Sequence, residues 1–149
     1  MPLTGEYEPS PSKWVRDQVA EYEASSGTRA NTLRNRDLPI VILTYRGVKS
    51  GKIRKAGLMR VEDHGRYALV ASNGGSPESP AWYSCLKADP GVTIQDGPEP
   101  HDFTVRELEG DERATWWDRA VAAYPDYADY QERTDRRIPV FVAEPTEPA

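Results

Sequence analysis

The sequence PIVILTYRGVKSGKIRKAGLMR, residues 39–60, decides the fold class. It begins with an apolar run at 39–45, which predicts a buried strand, and passes through a glycine-containing turn into a second strand at 53–61. The tripeptide Asp63-His64-Gly65 then predicts a tight reversal into a third strand at 67–72. Two adjacent hairpins indicate an antiparallel sheet that curls, because βαβ units would need a helix between consecutive strands.

The flanking segments predict helices and further strands around this sheet. A helix is expected from Ser10 or Ser12 to Ser25, since serine is a good N-cap and Pro11 suits a first turn. The other predicted elements are a short helix at 79–88, strands at 92–95 and 102–108, helices from 111 and at 125–134, and a last strand at 138–143. The fold class is therefore α+β, mainly β: a closed or half-closed barrel of about six antiparallel strands with an N-terminal helix and two to three further helices. All 149 residues are expected to form one domain with loose termini at 1–9 and 145–149.

Composition excludes several classes of protein. The single cysteine, Cys85, rules out an intramolecular disulfide and fits a reducing cytoplasm, which is the expected location. No apolar run approaches the roughly 18 residues of a membrane span, and no secretion signal is visible. Two histidines and one cysteine have no metal-site spacing, so no metal is expected. The net charge of -5 argues against nucleic-acid binding, which needs a broad basic face.

The turn between the first two predicted strands is strongly basic. Residues 39–60 hold six of the 19 Lys and Arg residues and none of the 24 Asp and Glu residues. Cations beside Gly47 and Gly51, where backbone N–H groups can approach closely, suggest an anionic ligand. A solvated hairpin tip whose charges prevent edge pairing explains the same residues equally well.

Three further segments could carry chemistry, each with a structural alternative. Ser72-Asn73-Gly74-Gly75 ends a strand with a glycine pair, which suits either backbone contacts to a ligand or an ordinary turn. Pro80-Ala81-Trp82-Tyr83 opens a helix and offers a flat aromatic face, although capping of the barrel explains its rings equally well. Tyr127 and Tyr130 share a helix face near Tyr124, so their phenols could line an apolar pocket or simply pack in the core.

No motif for a nucleotide-binding loop, a nucleophile elbow or a paired general acid and base is present. A protein without such residues often takes its chemistry from an organic cofactor. Phosphate-binding cations, backbone donors and aromatic rings together suit a phosphorylated, flavin-like molecule.

In combination, four segments resemble the deazaflavin (coenzyme F420)-dependent nitroreductases of actinobacteria, across about residues 38–145. They are LPIVILTYRGVKSGKIRK, VASNGGSPESPAWYSCLKADP, DERATWW and YPDYADYQERTDRRIPVFV. The resemblance implies a split β-barrel and an oxidoreductase that uses reduced F420, with FMN less favoured. It implies hydride transfer to an electron-poor small organic acceptor: a nitroimidazole, a quinone, or a conjugated enone or lactone. A non-catalytic F420 or FMN carrier, which needs no acceptor pocket, stays open as the alternative.

The resemblance also implies site residues. Lys49, Ser50, Arg54 and Lys55 would hold the cofactor's phosphate and acidic tail. The other expected cofactor contacts are Ala56, Gly57, Leu58, Met59, Val70, Ala71, Ser72, Asn73, Ala81, Trp82, Tyr83, Cys85 and Tyr127. The expected acceptor pocket comprises Trp14, Tyr22, Tyr124, Tyr127 and Tyr130, with Tyr127, Tyr130 or Ser72 as the catalytic hydroxyl. Four residues depart from the family pattern, namely Val48, Gly57, Asn73 and Cys85. We expect a monomer.

Overall fold

A computed structural model describes residues 5–32 and 38–146. One antiparallel sheet of seven strands runs through the described part, in the order β2-β1-β5-β6-β7-β4-β3. The strands are β1 Ile40–Arg46, β2 Ile53–Met59, β3 Glu62–Asp63, β4 Arg66–Val70, β5 Gly91–Gln95, β6 Pro100–Glu107 and β7 Val140–Pro145. The α-helices are α1 Lys13–Ala24, α2 Trp82–Ala88, α3 Gly110–Ala123 and α4 Asp126–Glu132, and a 3-10 turn covers Asn73–Gly75.

The sheet is apolar on both faces, which explains the unbroken apolar run that begins at residue 39. Along β1, Ile40 and Ile42 belong to one buried cluster and Val41 and Leu43 to another, because successive side chains point to opposite faces of a strand. Helices α1, α3 and α4 contribute to the first cluster, whereas α2 contributes to the second. Helices therefore cover both faces, and the predicted α+β fold class is confirmed.

The element count differs slightly from the prediction of about six strands. Glu62 and Asp63 form a separate two-residue strand that pairs with β4, so the sheet has seven strands in the described residues. In the turn between β3 and β4, His64 and Gly65 have φ values of 54° and 81°. Two successive positive φ values are typical of the tightest hairpin turns, and glycine adopts them without strain.

The chain termini are more ordered than expected. Tyr7 forms a parallel bridge with Ile53, and Pro145 belongs to β7. The Thr146 N–H donates a 3.0 Å hydrogen bond to the carbonyl of Asp102. The prediction of loose termini was therefore wrong for these positions, because backbone donors there find partners on strand edges. Residues 1–4, 33–37 and 147–149 lie outside the described residues.

Candidate active site

A cavity of about 400 Å³ opens between the two ends of the sheet. Gly57, Leu58 and Met59 line it from β2, the first strand in the sheet order, while Val70 and Ser72 line it from the end of β4. Residues at the sheet's two ends thus reach one space, as expected for a split barrel. The other lining residues are Trp14, Gln18, Ile40, Asn73, Pro80, Trp82, Tyr124, Tyr127 and Tyr130. Of these, Gln18, Ile40 and Pro80 were not expected from the sequence.

Three tyrosines form one wall of this cavity. The rings of Tyr124 and Tyr127 meet edge to face with centroids 5.0 Å apart, and Tyr130 lies 5.9 Å from Tyr124 and 6.2 Å from Tyr127. The hydroxyls of Tyr124 and Tyr130 are 2.9 Å apart and hydrogen-bonded. Burial raises the pKa of Tyr124 and of Tyr127, so both phenols stay protonated at neutral pH and can donate a hydrogen bond.

Two hydroxyls of the cavity wall have no protein partner within residues 5–32 and 38–146. Tyr127 is 5% exposed and Ser72 is 8% exposed, and no hydrogen bond is formed by either side-chain oxygen in that part of the chain. Every fully buried side-chain oxygen among the described residues has a hydrogen-bond partner, so these two oxygens are themselves accessible and are suited to bind a ligand from the cavity. Of the three expected catalytic hydroxyls, those of Tyr127 and Ser72 have no protein partner in the described residues, whereas that of Tyr130 shares a hydrogen bond with Tyr124 in which either can be the donor.

The loop after β4 lies directly against α4, and Gly75 makes this approach possible. A Cβ atom at Gly75 would lie 2.9 Å from the carbonyl oxygen of Tyr130 and 3.0 Å from its Cα, and the residue has a φ of +82°. Any other residue would displace one of the two segments. The glycine therefore fixes the distance between Ser72 and the tyrosine wall.

Arg136 holds this loop, and sequence reasoning missed it. Its guanidinium donates to the carbonyls of Ala71 at 3.1 Å, Ser72 at 2.9 Å and Ser76 at 2.9 Å. The Ala71 N–H donates to the carbonyl of Pro139 at 2.9 Å. Both backbone groups of Ala71 therefore have partners within the protein, and its expected contact with the cofactor stays a prediction.

A second cavity, of about 470 Å³, lies beside the basic turn. Lys49, Ser50 and Arg54 line one side and Ala81 and Cys85 line the other. Five expected cofactor contacts thus meet here. The remaining lining residues are Glu8, Tyr45, Gly47, Val48 and Ser84.

Most cations of the basic turn are paired with acids. Lys52 lies 3.3 Å from Glu6, and Arg60 lies 2.7 Å from Asp96. Arg54 lies 3.5 Å from Glu8. Within the described ranges, Lys49 is exposed and forms no ion pair. The basic run is therefore largely neutralised by the fold, and Lys49 keeps its charge available for a ligand.

Comparison with known proteins identifies the family. The sequence model of the F420H2-dependent quinone reductase family matches residues 14–145 of this chain. This chain belongs to that family. An F420H2-dependent quinone reductase of Mycobacterium tuberculosis is 36% identical over 107 residues, which are 70% of this chain and 72% of the relative. Another M. tuberculosis relative, named after the same reaction, is 37% identical over 108 residues, 72% of this chain and 91% of its own length.

Solved structures agree with the family assignment and the split-barrel fold. An F420H2-dependent reductase is 58% identical, superposes with a TM-score of 0.68, and the match covers 71% of this chain and 94% of that one. A structure described as a domain-swapped dimer is 51% identical, with a TM-score of 0.71 and a match to 91% of this chain and 100% of that one. The prediction of a monomer conflicts with that relative.

The family's cofactor is reduced coenzyme F420, and the residues of the two cavities fit it. Arg54 in one cavity and Leu58 in the other are four residues apart on β2, which is about 13 Å at the rise of an extended strand. Lys49, Ser50 and Arg54 supply charge and hydrogen-bond donors for an anionic group. The first cavity supplies flat aromatic and apolar surface for a ring.

Lys55, expected beside Arg54, lies elsewhere. Adjacent residues of a strand point to opposite faces, so the side chains of Lys55 and Arg54 leave β2 on different sides. Its ammonium pairs with Glu23 and lies 5.1 Å from the centroid of the Tyr7 ring. Lys55 is therefore engaged outside the two cavities, and its expected contribution to the anion site stays a prediction.

Three more expected contacts lie away from both cavities. Tyr22 is buried, and its hydroxyl donates to the Gln95 carbonyl at 3.1 Å and accepts from the Gly97 N–H at 2.8 Å. Tyr83 donates to Glu107 at 3.1 Å, and Ala56 packs on the second apolar cluster. Their positions explain them as structural residues. In the described part of the chain, no helix is long and apolar enough to cross a membrane.

Proposed function

We propose that this F420H2-dependent reductase transfers a hydride to a quinone bound against the tyrosine wall. The observation that carries the proposal is the hydroxyl of Tyr127, a nearly buried residue that lines the cavity with the tyrosine wall. This hydroxyl has no protein partner among the described residues. A phenol held in this way is suited to donate a hydrogen bond to a carbonyl oxygen of the acceptor.

The reaction balances with one hydride and one proton. Reduced F420, when bound, supplies the hydride, that is, two electrons and a proton. The quinone takes up this hydride and a second proton from solvent and becomes a hydroquinone. Negative charge develops on the acceptor oxygen before the second proton arrives, so a donor in a largely water-excluded site stabilises the transition state.

The chain's own residues would position both reactants. We place the anionic end of the cofactor at Lys49, Ser50 and Arg54, and its ring beside Leu58 and Trp82. Ser72, which Arg136 orients through the loop carbonyl, is a second hydrogen-bond donor at the cavity wall. Holding two reactants in contact distance accounts for much of what such a protein must contribute, because the cofactor brings the reactive bond.

Other acceptors share the same chemistry. Nitroimidazoles and conjugated enones or lactones also combine an electron-poor π-system with an oxygen that gains negative charge. Tyr127 could donate to that oxygen in each case. We place quinones first because the relatives are named for them.

The test is an anaerobic assay with chemically reduced F420 and a soluble quinone, a nitroimidazole and a conjugated lactone in parallel. The proposal expects oxidation of F420 that depends on both protein and quinone, with one hydroquinone formed per F420 consumed. Tight F420 binding without turnover on any acceptor would favour the carrier function instead. Equal binding of FMN and F420 would contradict the assigned tail site.

A further inference from the structure

The chain places a carboxylate of its own in the anion site. Residues 6–8 lie along the first residue of β2: the Ile53 N–H donates to the Glu6 carbonyl and the Glu8 N–H donates to the Ile53 carbonyl, both at 2.8 Å. We call residues 6–8 the N-terminal strap. These two hydrogen bonds fix the backbone of Glu8 at the edge of the second cavity.

The Glu8 side chain faces the same cations that the cofactor would use. Its Oε1 lies 3.5 Å from Nη1 of Arg54, and Glu8 lines the cavity together with Lys49 and Ser50. The side chains of Glu8 and Arg54 are 43% and 28% exposed, so the pair is accessible and can be opened at low cost. Glu6, by contrast, pairs with Lys52, and neither of these two residues lines the cavity.

We infer that Glu8 competes with anionic ligands for Arg54, which it occupies until a phosphate or carboxylate group of the ligand displaces it, and that it thereby lowers the affinity of the site for them. This inference rests on the proposed placement of the cofactor's anionic end. A carboxylate and a phosphate need the same donors from Arg54, and two anions in one cavity repel each other. Glu8 is thus a built-in repulsive element rather than a further attractive contact. It weakens a ligand that places an anionic group at Arg54 and does not affect a neutral one.

The experiment compares the Glu8→Gln and Glu6→Gln variants by fluorescence titration. The two substitutions remove the same charge from the same strap and leave its backbone hydrogen bonds in place. The probes are oxidised F420 and the neutral deazaflavin riboside that lacks phosphate and tail. We expect Glu8→Gln to tighten F420 binding about two- to fivefold at low salt, the range of a partly exposed ion pair. We expect no change for the neutral probe, and no change in Glu6→Gln with either probe.

Three outcomes would overturn the inference: unchanged or weaker F420 binding in Glu8→Gln, the same gain in Glu6→Gln, or the same gain for the neutral probe. A double variant, Glu8→Gln with Arg54→Ala, adds a further check. The gain from Glu8→Gln should disappear when Arg54 is absent, because the two residues are coupled. If the unmodified protein bound no F420 at all, the proposed function would fail, and that result differs from each of these three.

Discussion

The hydroxyls of Tyr124 and Tyr130 lie 2.9 Å apart and share a hydrogen bond. The ring of Tyr127, between them in sequence, packs edge to face against both. The hydroxyl pair therefore fixes the wall, while the phenol of Tyr127 stays free of protein partners in the described residues. Helix α4 thus carries two tyrosines with different roles: Tyr130 stabilises the wall, and Tyr127 is suited to bind a ligand.

The first prediction follows from this division of roles. Tyr127→Phe keeps the ring and removes the donor, so F420 affinity should stay unchanged while turnover with a quinone falls by about a hundredfold to a thousandfold, as for a lost transition-state hydrogen bond. Steady-state kinetics and a binding titration on the same preparation measure both quantities. Tyr124→Phe is the matched control, because it breaks the hydroxyl pair without touching the Tyr127 phenol. A Tyr127→Phe variant with unaltered kcat would leave the ring with a packing role alone.

The second prediction separates two adjacent cations. Arg54→Ala should weaken F420 binding by about 1.5–3 kcal/mol, the range for hydrogen bonds to charged groups, and Lys49→Ala should act in the same direction. Lys55→Ala should leave the affinity unchanged, because this ammonium pairs with Glu23 on the opposite face of β2. Calorimetric or fluorescence titration with F420 measures the affinity of each of the three variants. Loss of affinity in Lys55→Ala would show that the anion site lies on the other face.

The fold was largely predictable because its signal is local. The apolar run of β1 and the turn at His64 and Gly65 fix the hairpins through period-two burial and positive φ values, which neighbouring residues reveal. The same period places Arg54 and Lys55 on opposite faces of β2, although the family resemblance implies that both hold the cofactor.

The rest of the site depends on contacts that no local pattern shows. Arg136 reaches the carbonyls of Ala71 and Ser72 across 65 and 64 positions, and its neighbourhood in sequence resembles an ordinary charged surface. Tyr22 occupies an apolar position of α1, which fits a cavity wall as well as it fits a buried anchor. The hydrogen bonds of its hydroxyl with Gln95 and Gly97 are seen only in the folded structure.

The third prediction concerns the contact between the loop and α4. Gly75→Ala should lower the free energy of unfolding by more than Gly65→Ala, although both glycines have nearly the same φ, +82° and +81°. The strain of a positive φ, about 1 kcal/mol, is common to both variants. A Cβ at Gly75 meets the backbone of Tyr130, whereas a Cβ at Gly65 meets nothing within 4 Å. Urea unfolding of both variants measures the two losses in the free energy of unfolding. Equal losses would mean that the loop moves away from α4 at no cost.

The fourth prediction concerns alkaline pH. Burial raises the pKa of Tyr127 above the ordinary value of 10.0, so above that pH the folded protein holds a proton that the unfolded chain has released. The stabilisation from this group is complete below pH 10 and is lost as the pH rises toward the folded-state pKa. Each such proton steepens the fall of the unfolding free energy by up to about 1.4 kcal/mol per pH unit.

Tyr127→Phe removes this titration and should therefore give a shallower decline than the unmodified protein above pH 10. Urea unfolding at a series of alkaline pH values measures the two slopes. Any uniform loss of stability from the substitution cancels, because only the slopes are compared. Other groups that titrate in this range, such as the lysines, are common to both proteins and cancel in the same way. Parallel declines would show that the Tyr127 phenol is in contact with water and titrates as it does in the unfolded chain.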